Sequence, residues 1–168
     1  MNEEKSFHSA TYGDIALKDV FLKIKSFLEK DPNAAYSLVI GTDSHERFYS
    51  KSEKSLYLVT AVVVHRKGFG GQYFWTAKKI SNIKTLRDKI YAETTTSIEF
   101  AGLFMPKLRK ILNGSTPKYN LEIHIDVGEH GDTREMLKEV VGMVTGNGFT
   151  AKIKPEAYGA SYVADKHT

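Results

Sequence analysis

Tyr36-Ser37-Leu38-Val39-Ile40-Gly41-Thr42-Asp43 is a short apolar run that stops on an aspartate and a polar loop. A run of this length, rich in β-branched and bulky side chains, reads as a buried strand. Two further apolar runs supply its partners. Leu56 to His65 (LYLVTAVVVH) reads as a second strand, and Gln72 to Ile80 (QYFWTAKKI) as a third. Between them Gly68-Phe69-Gly70-Gly71 is a strong turn signal, so the strands join as a hairpin. The centre of the chain is therefore expected to be an antiparallel meander of three strands.

Upstream, Ile15, Leu17, Val20, Phe21, Ile24, Phe27 and Leu28 trace one face of a helix over Asp14 to Lys30, which Asp31-Pro32-Asn33 ends. Downstream the period turns helical from about Lys84 to Leu112. The threonine run Thr94 to Thr96 interrupts it, and Pro106 predicts a kink or break, because proline removes a backbone donor and crowds the preceding turn. Asn113-Gly114 stops that unit. Leu121 to Asp126 (LEIHID) reads as a fourth strand and Phe149 to Ile153 as a short fifth. Between them Asp132-Thr133-Arg134-Glu135 resembles a capping box for a helix that runs to Thr145. Tyr158 to Asp165 reads as a last helical turn or two. A meander followed by β-α-β crossovers implies a mixed five-stranded α/β sheet with helices on its faces.

In that topology two aspartates end strands, Asp43 after the first and Asp126 after the fourth. Open α/β sheets bind ligands at the carboxyl ends of parallel strands. If the two strands are parallel neighbours, both carboxylates enter one crevice. Like charges so placed raise each other's pKa unless a cation joins them, and carboxylate oxygens suit Mg²⁺. For either aspartate alone, the competing reading is a turn or cap residue.

Gly41-Thr42-Asp43-Ser44, the meander, an acidic helix, Asp126 and the late Asp165 together resemble the ribonuclease H-like superfamily, and within it the YkuK-like family of bacterial proteins. The resemblance covers nearly the whole chain after the N-terminal helix. It implies residues 1–34 as a helix packed on a ribonuclease H-like domain of residues 35–168. It also implies a metal-binding and catalytic set of Asp43, Glu99, Asp126 and Asp165. Glu99 is chosen because Thr94-Thr95-Thr96-Ser97-Ile98-Glu99 resembles the stretch that introduces the catalytic glutamate of ribonucleases HI. Glu93, six residues earlier, is the substitute if the helix starts sooner. Two Mg²⁺ or Mn²⁺ ions and a nucleic acid (RNA, DNA or a hybrid) are the implied cofactors and partner. The small residues Gly159, Ala160, Ser161 and Ala164 would let the last helix approach the sheet closely.

His45, Lys78 and Lys79 are the candidates for substrate binding. His45 titrates near neutrality and lies two residues past Asp43, although a loop histidine is more often simply exposed. His124 alternates in phase with Asp126 and reads as a satisfied core residue. Asp132 reads as a helix cap, with a metal or phosphate role open to it; His130 and His167 are left without a role. Tyr73, Phe74 and Trp75 must alternate between sheet faces, with core burial ahead of base stacking.

Composition narrows the function classes. There is no cysteine, which excludes disulfides and thiolate metal sites and suits a reducing compartment. No long apolar run and no secretory pattern at the start point to a cytoplasmic protein without a membrane span. A net charge of +4 mildly favours nucleic acid, and Lys78, Lys79, Lys84, Arg87 and Lys89 cluster, as do Lys107, Arg109 and Lys110. The expected function is a metal-dependent nuclease. The alternatives are a non-catalytic binding module of the same fold and a nucleotide phosphotransferase, the last disfavoured because one lobe cannot close around a nucleotide.

Overall fold

A computed structural model describes residues 6–48, 54–81, 83–114, 118–130 and 133–167. In chain order its elements are β1 (Ser6–Ser9), β2 (Gly13–Ala16), α1 (Leu17–Glu29), β3 (Tyr36–Phe48), β4 (Lys54–Arg66), β5 (Gly70–Ile80), α2 (Leu86–Leu112), β6 (Tyr119–His124), α3 (Leu137–Gly146) and β7 (Thr150–Lys152). A 3₁₀ turn at Arg134–Met136 leads into α3. The chain closes with a π-helical segment, Gly159–Ala164, and a 3₁₀ turn, Asp165–His167.

β3, β4 and β5 form the expected antiparallel meander. Gly68 and Gly70 turn the second hairpin with φ of 81° and 88°, a backbone region that disfavours side chains. β6 then lies parallel to β3, and β7 parallel to β6. The sheet has seven strands in the order β2-β1-β5-β4-β3-β6-β7, rather than five. The two additions are the N-terminal hairpin of β1 and β2, which joins the sheet where His8 pairs with Trp75. Helix α1 consequently starts at Leu17, and Asp14 and Ile15 belong to β2. Phe7 is fully buried and packs edge-on against Phe100, so this segment shares the main core.

Strand alternation sorts the sheet's residues between two unequal layers. Leu38, Ile40, Val62, Val64 and Phe74 face α1, α2 and α3 in the large core. Val59 and Ala61 face the other way, where Ala164 and Val163 of the C-terminal segment cover them.

Helix α2 bears most on function. Thr85 caps it reciprocally with Asp88: the Asp88 N–H donates to Thr85 Oγ1 at 3.0 Å and the Thr85 N–H to Asp88 Oδ2 at 3.0 Å. The helix continues unbroken through Pro106. The carbonyl that proline leaves without its donor is that of Gly102, and both residues lie on the exposed side of the helix, where the loss is least costly. Asn113, left-handed with φ of 50°, ends the helix by donating to the Arg109 carbonyl at 3.2 Å. The expected cap Asp132 lies outside the described residues.

Candidate functional site

Gly41 of β3 pairs in parallel with His124 of β6. Asp43 and Asp126 each lie two residues beyond that last parallel pair. Asp126 follows the carboxyl end of β6, whereas Asp43 lies inside β3, which does not stop there in a loop as expected but runs on to Phe48, paired with β4. Asp43 is 8% exposed and Asp126 half-buried.

From the helical side, α2 brings a ladder of hydroxyls onto the sheet. Ser97 Oγ donates to Thr42 Oγ1 at 2.8 Å, and Thr42 shares a 3.0 Å bond with Thr60. One turn earlier Ser44 Oγ donates to Glu93 Oε1 at 2.6 Å. That bond fixes a carboxyl group only 3% exposed beside the strand that carries Asp43.

Burying a charge without full compensation disfavours it. Burial pushes the Glu93 carboxyl up to about 8, against the Ser44 hydroxyl and the Lys89 ammonium, while Asp43 and Asp126 push it further. Burial likewise raises the Asp43 carboxyl above its usual range, opposed by the Ser44 N–H and Lys89 and reinforced by Asp126 and Asp165. Asp43 thus feels Asp126 and Asp165, and Glu93 feels Asp43 and Asp126. Asp165 itself is exposed, in the last turn of the chain.

Two lysines attend this acidic group. Lys154 Nζ stands 2.8 Å from Asp126 Oδ1, and Lys89 Nζ 3.7 Å from Glu93 Oε1. The donor set fits a hard divalent cation in its chemistry, being all carboxylate and partly buried where ionisation is resisted. Among the described residues, no three acidic or histidine side chains stand close enough to hold a metal ion as they lie.

A profile of ribonuclease H-like proteins matches residues 19–168. The chain belongs to the ribonuclease H-like family. A relative 33% identical over 174 residues, covering 96% of each chain, is the uncharacterized protein YkuK of Bacillus subtilis (strain 168), which assigns the chain to the YkuK family. A shorter similarity, 32% identity over 94 residues, covers 52% of this chain and 54% of the negative modulator of initiation of replication of Pseudoalteromonas atlantica (strain T6c / ATCC BAA-1087). No solved structure matches significantly.

Within this ribonuclease H-like fold the expected residues are not all brought together. Glu99 is exposed, whereas Glu93 is buried beside β3. Six residues place the two roughly a third of the circumference apart, so α2 cannot present both to the sheet. The helix glutamate of the cluster is Glu93. Lys79 shares the Asp43 face of the sheet, in register across β4 with Tyr57 and His45. Lys78, one residue off, falls on the opposite, helical face. His45 is half-buried and stacks on Tyr57 at 5.7 Å between ring centres. Of the clustered cations, Arg87 pairs with Glu139 at 2.8 Å.

Two of the other histidines have structural contacts. His124, 1% exposed, accepts the Gly159 N–H at Nδ1 (2.9 Å), which leaves its Nε2–H to donate to Glu122 at 3.1 Å. Burial lowers its pKa and keeps the ring neutral, although Glu122 pulls the other way. His167 stacks on Trp75, ring centres 3.6 Å apart, and pins the end of the chain to the sheet. His130 is exposed. Among the described residues no helix is long and apolar enough to cross a membrane.

Sequence alone does not single out Lys89 and Lys154 for the site. Lys89 carries a signal, since it stands four residues before Glu93 and shares its helix face. Lys154 carries none, because only tertiary pairing brings β7 and its adjoining loop to Asp126.

Proposed function

We propose that this chain is a divalent-metal-dependent nuclease that hydrolyses phosphodiester bonds of a nucleic acid at Asp43, Glu93, Asp126 and Asp165. The observation that supports this reading is that the buried Asp43 and Glu93, on adjoining elements, both feel Asp126, which follows the carboxyl end of β6 beside β3. A purely structural cluster would gain more from apolar side chains of the same volume. Asp43, central in the electrostatics, would be the shared ligand of two Mg²⁺ or Mn²⁺ ions, with Glu93, Asp126 and Asp165 around it. When bound, such ions polarise the phosphate and make a bound water acidic enough to attack. Ser44 holds the Glu93 carboxyl in place. Lys79 and His45, on the Asp43 face, would receive the phosphate backbone.

Asp43→Asn and Asp126→Asn, each with an unchanged circular dichroism spectrum, are expected to lose Mn²⁺-dependent cleavage of a panel of RNA, DNA and hybrid substrates. Undiminished cleavage by both variants would sink the proposal.

A second reading, a nucleic-acid-binding module without catalysis, is favoured by the lysines standing against the carboxylates. A relative named for modulating initiation of replication agrees with it. It predicts binding whose affinity falls steeply with salt, with no cleavage in any metal.

A further inference from the structure

We propose that Lys154 is a built-in counter-ion of the acidic cluster, holding on Asp126 the position that a divalent cation must claim, so that metal binds only by displacing it. This inference rests on the metal-binding reading of the site.

The position of Lys154 is set by its backbone. Beyond the ends of β6 and β7 the two chains keep bonding in parallel: the Ile125 N–H donates to the Lys152 carbonyl at 2.9 Å and the Lys154 N–H to the Val127 carbonyl at 2.8 Å. Lys154 is therefore held in register with the segment that carries Asp126. Its stem passes beside Gly128, where an added Cβ would make ordinary contact with Lys154 Cβ at 3.5 Å. From there the side chain reaches Asp126, its Nζ 2.8 Å from Oδ1.

The need for such a cation arises from the carboxylates. Asp126 acts on both Asp43 and Glu93, the two buried members, so neutralising it relieves both. Lys89 supplies a weaker counterpart at 3.7 Å from Glu93. A divalent ion bound to Asp126 would meet the Lys154 charge at contact distance, where repulsion is worth more than a factor of ten even at moderate screening. The side chain of Lys154 is 51% exposed and can swing into water, which reduces the penalty to that of breaking a part-exposed pair. The lysine then lowers metal affinity without abolishing it.

The test is calorimetric titration of the full chain with Mn²⁺ alone, no substrate present. Lys154→Gln removes the charge and keeps much of the stem, and Lys154→Arg keeps the charge. The expected result is binding roughly five- to tenfold tighter in Lys154→Gln at unchanged stoichiometry, with Lys154→Arg close to the parent. Parent and Lys154→Gln chains binding Mn²⁺ equally well, or Lys154→Gln binding it more weakly, overturns the counter-ion role and leaves the metal site standing. No Mn²⁺ binding by the parent or by Lys154→Gln at millimolar concentration overturns the metal site and the counter-ion role together. Thermal melts of each variant show whether the fold is intact, and a surface lysine of this exposure is replaceable without unfolding the domain.

Discussion

At the scale of single residues the site turns on Glu93, whose burial and hydrogen bond to Ser44 set its behaviour with pH. Its pKa in the fold, about 8, lies above the ordinary 4.5, so the folded chain holds a proton that the unfolded chain has released. A raised pKa makes its contribution to stability complete below pH 4.5 and lost as pH climbs through about 8. At pH 7 the loss is on the order of 3 kcal/mol. Glutamine copies the neutral acid. Glu93→Gln is expected to match the parent near pH 4.5 and to exceed it in metal-free urea unfolding at pH 7 to 8. Parallel stability curves for the two chains over that range would show that Glu93 does not carry the buried proton. Gly159 is the second residue on which the geometry depends. A Cβ there would stand 2.5 Å from Val39 Cγ1 and 3.3 Å from His124 Nδ1, in a fully buried corner. Gly159→Ala should therefore cost about 1–3 kcal/mol in denaturant unfolding, and a neutral result would mean that the segment has slack.

At the scale of elements, α2 shows what a sequence discloses and what it hides. Its existence, its stop at Asn113-Gly114 and the place of Asp126 just past β6 were legible, because helical period, left-handed cap and apolar run are local signals; the polar residues after Asp43 hid that β3 runs on to Phe48. Choosing between its glutamates required the buried stripe, which runs through Ile90, Glu93, Thr94, Ser97, Ala101, Phe104, Met105, Leu108 and Leu112. Glu93 lies in that stripe and Glu99 does not. The stripe was hard to see because its middle is polar: Thr94 and Ser97 are buried, and Ser97 is satisfied by Thr42 on the sheet. Apolar periodicity skips such residues and draws in Ile98, which is only partly buried. The β1–β2 hairpin escaped for another reason. Its strands are four residues long, and Gly13, with φ of 68°, is its one turn signal. Removing the α2 cap tests how far the helix supports the site. Thr85→Ala should lower stability by about 1 kcal/mol and leave Mn²⁺ binding unchanged, since the cap lies two turns before Glu93. A loss of Mn²⁺ affinity from this variant would show that the first turns of α2 position the carboxyl.

At the scale of the whole molecule, the sheet's two faces are held by different means. The helical face has the large core. The opposite face relies on the C-terminal segment, attached by Gly159 to His124, by Tyr158 to Ser37 at 3.3 Å, and by the His167–Trp75 stack. Burial first, then Lys166 and His8, depress the His167 pKa, so the ring rests neutral on the indole near pH 7. Such a stack is worth about 0.5–1.5 kcal/mol. This segment also carries Asp165, so under the proposed function its docking is a condition for the site to be complete. Trp75 is the single tryptophan of the chain and half of the stack, which makes its emission a direct report on docking. Ending the chain at Tyr158 uncovers Val59 and Ala61 and leaves the large core untouched. The shortened chain is expected to unfold cooperatively at a lower temperature, to emit at longer wavelength from the wetter indole, and to bind Mn²⁺ more weakly than the full chain. His167→Ala should reproduce the shift in emission in part while keeping Asp165. If the shortened chain keeps both the emission and the metal affinity of the full one, the C-terminal segment neither covers Trp75 in solution nor contributes Asp165 to the site.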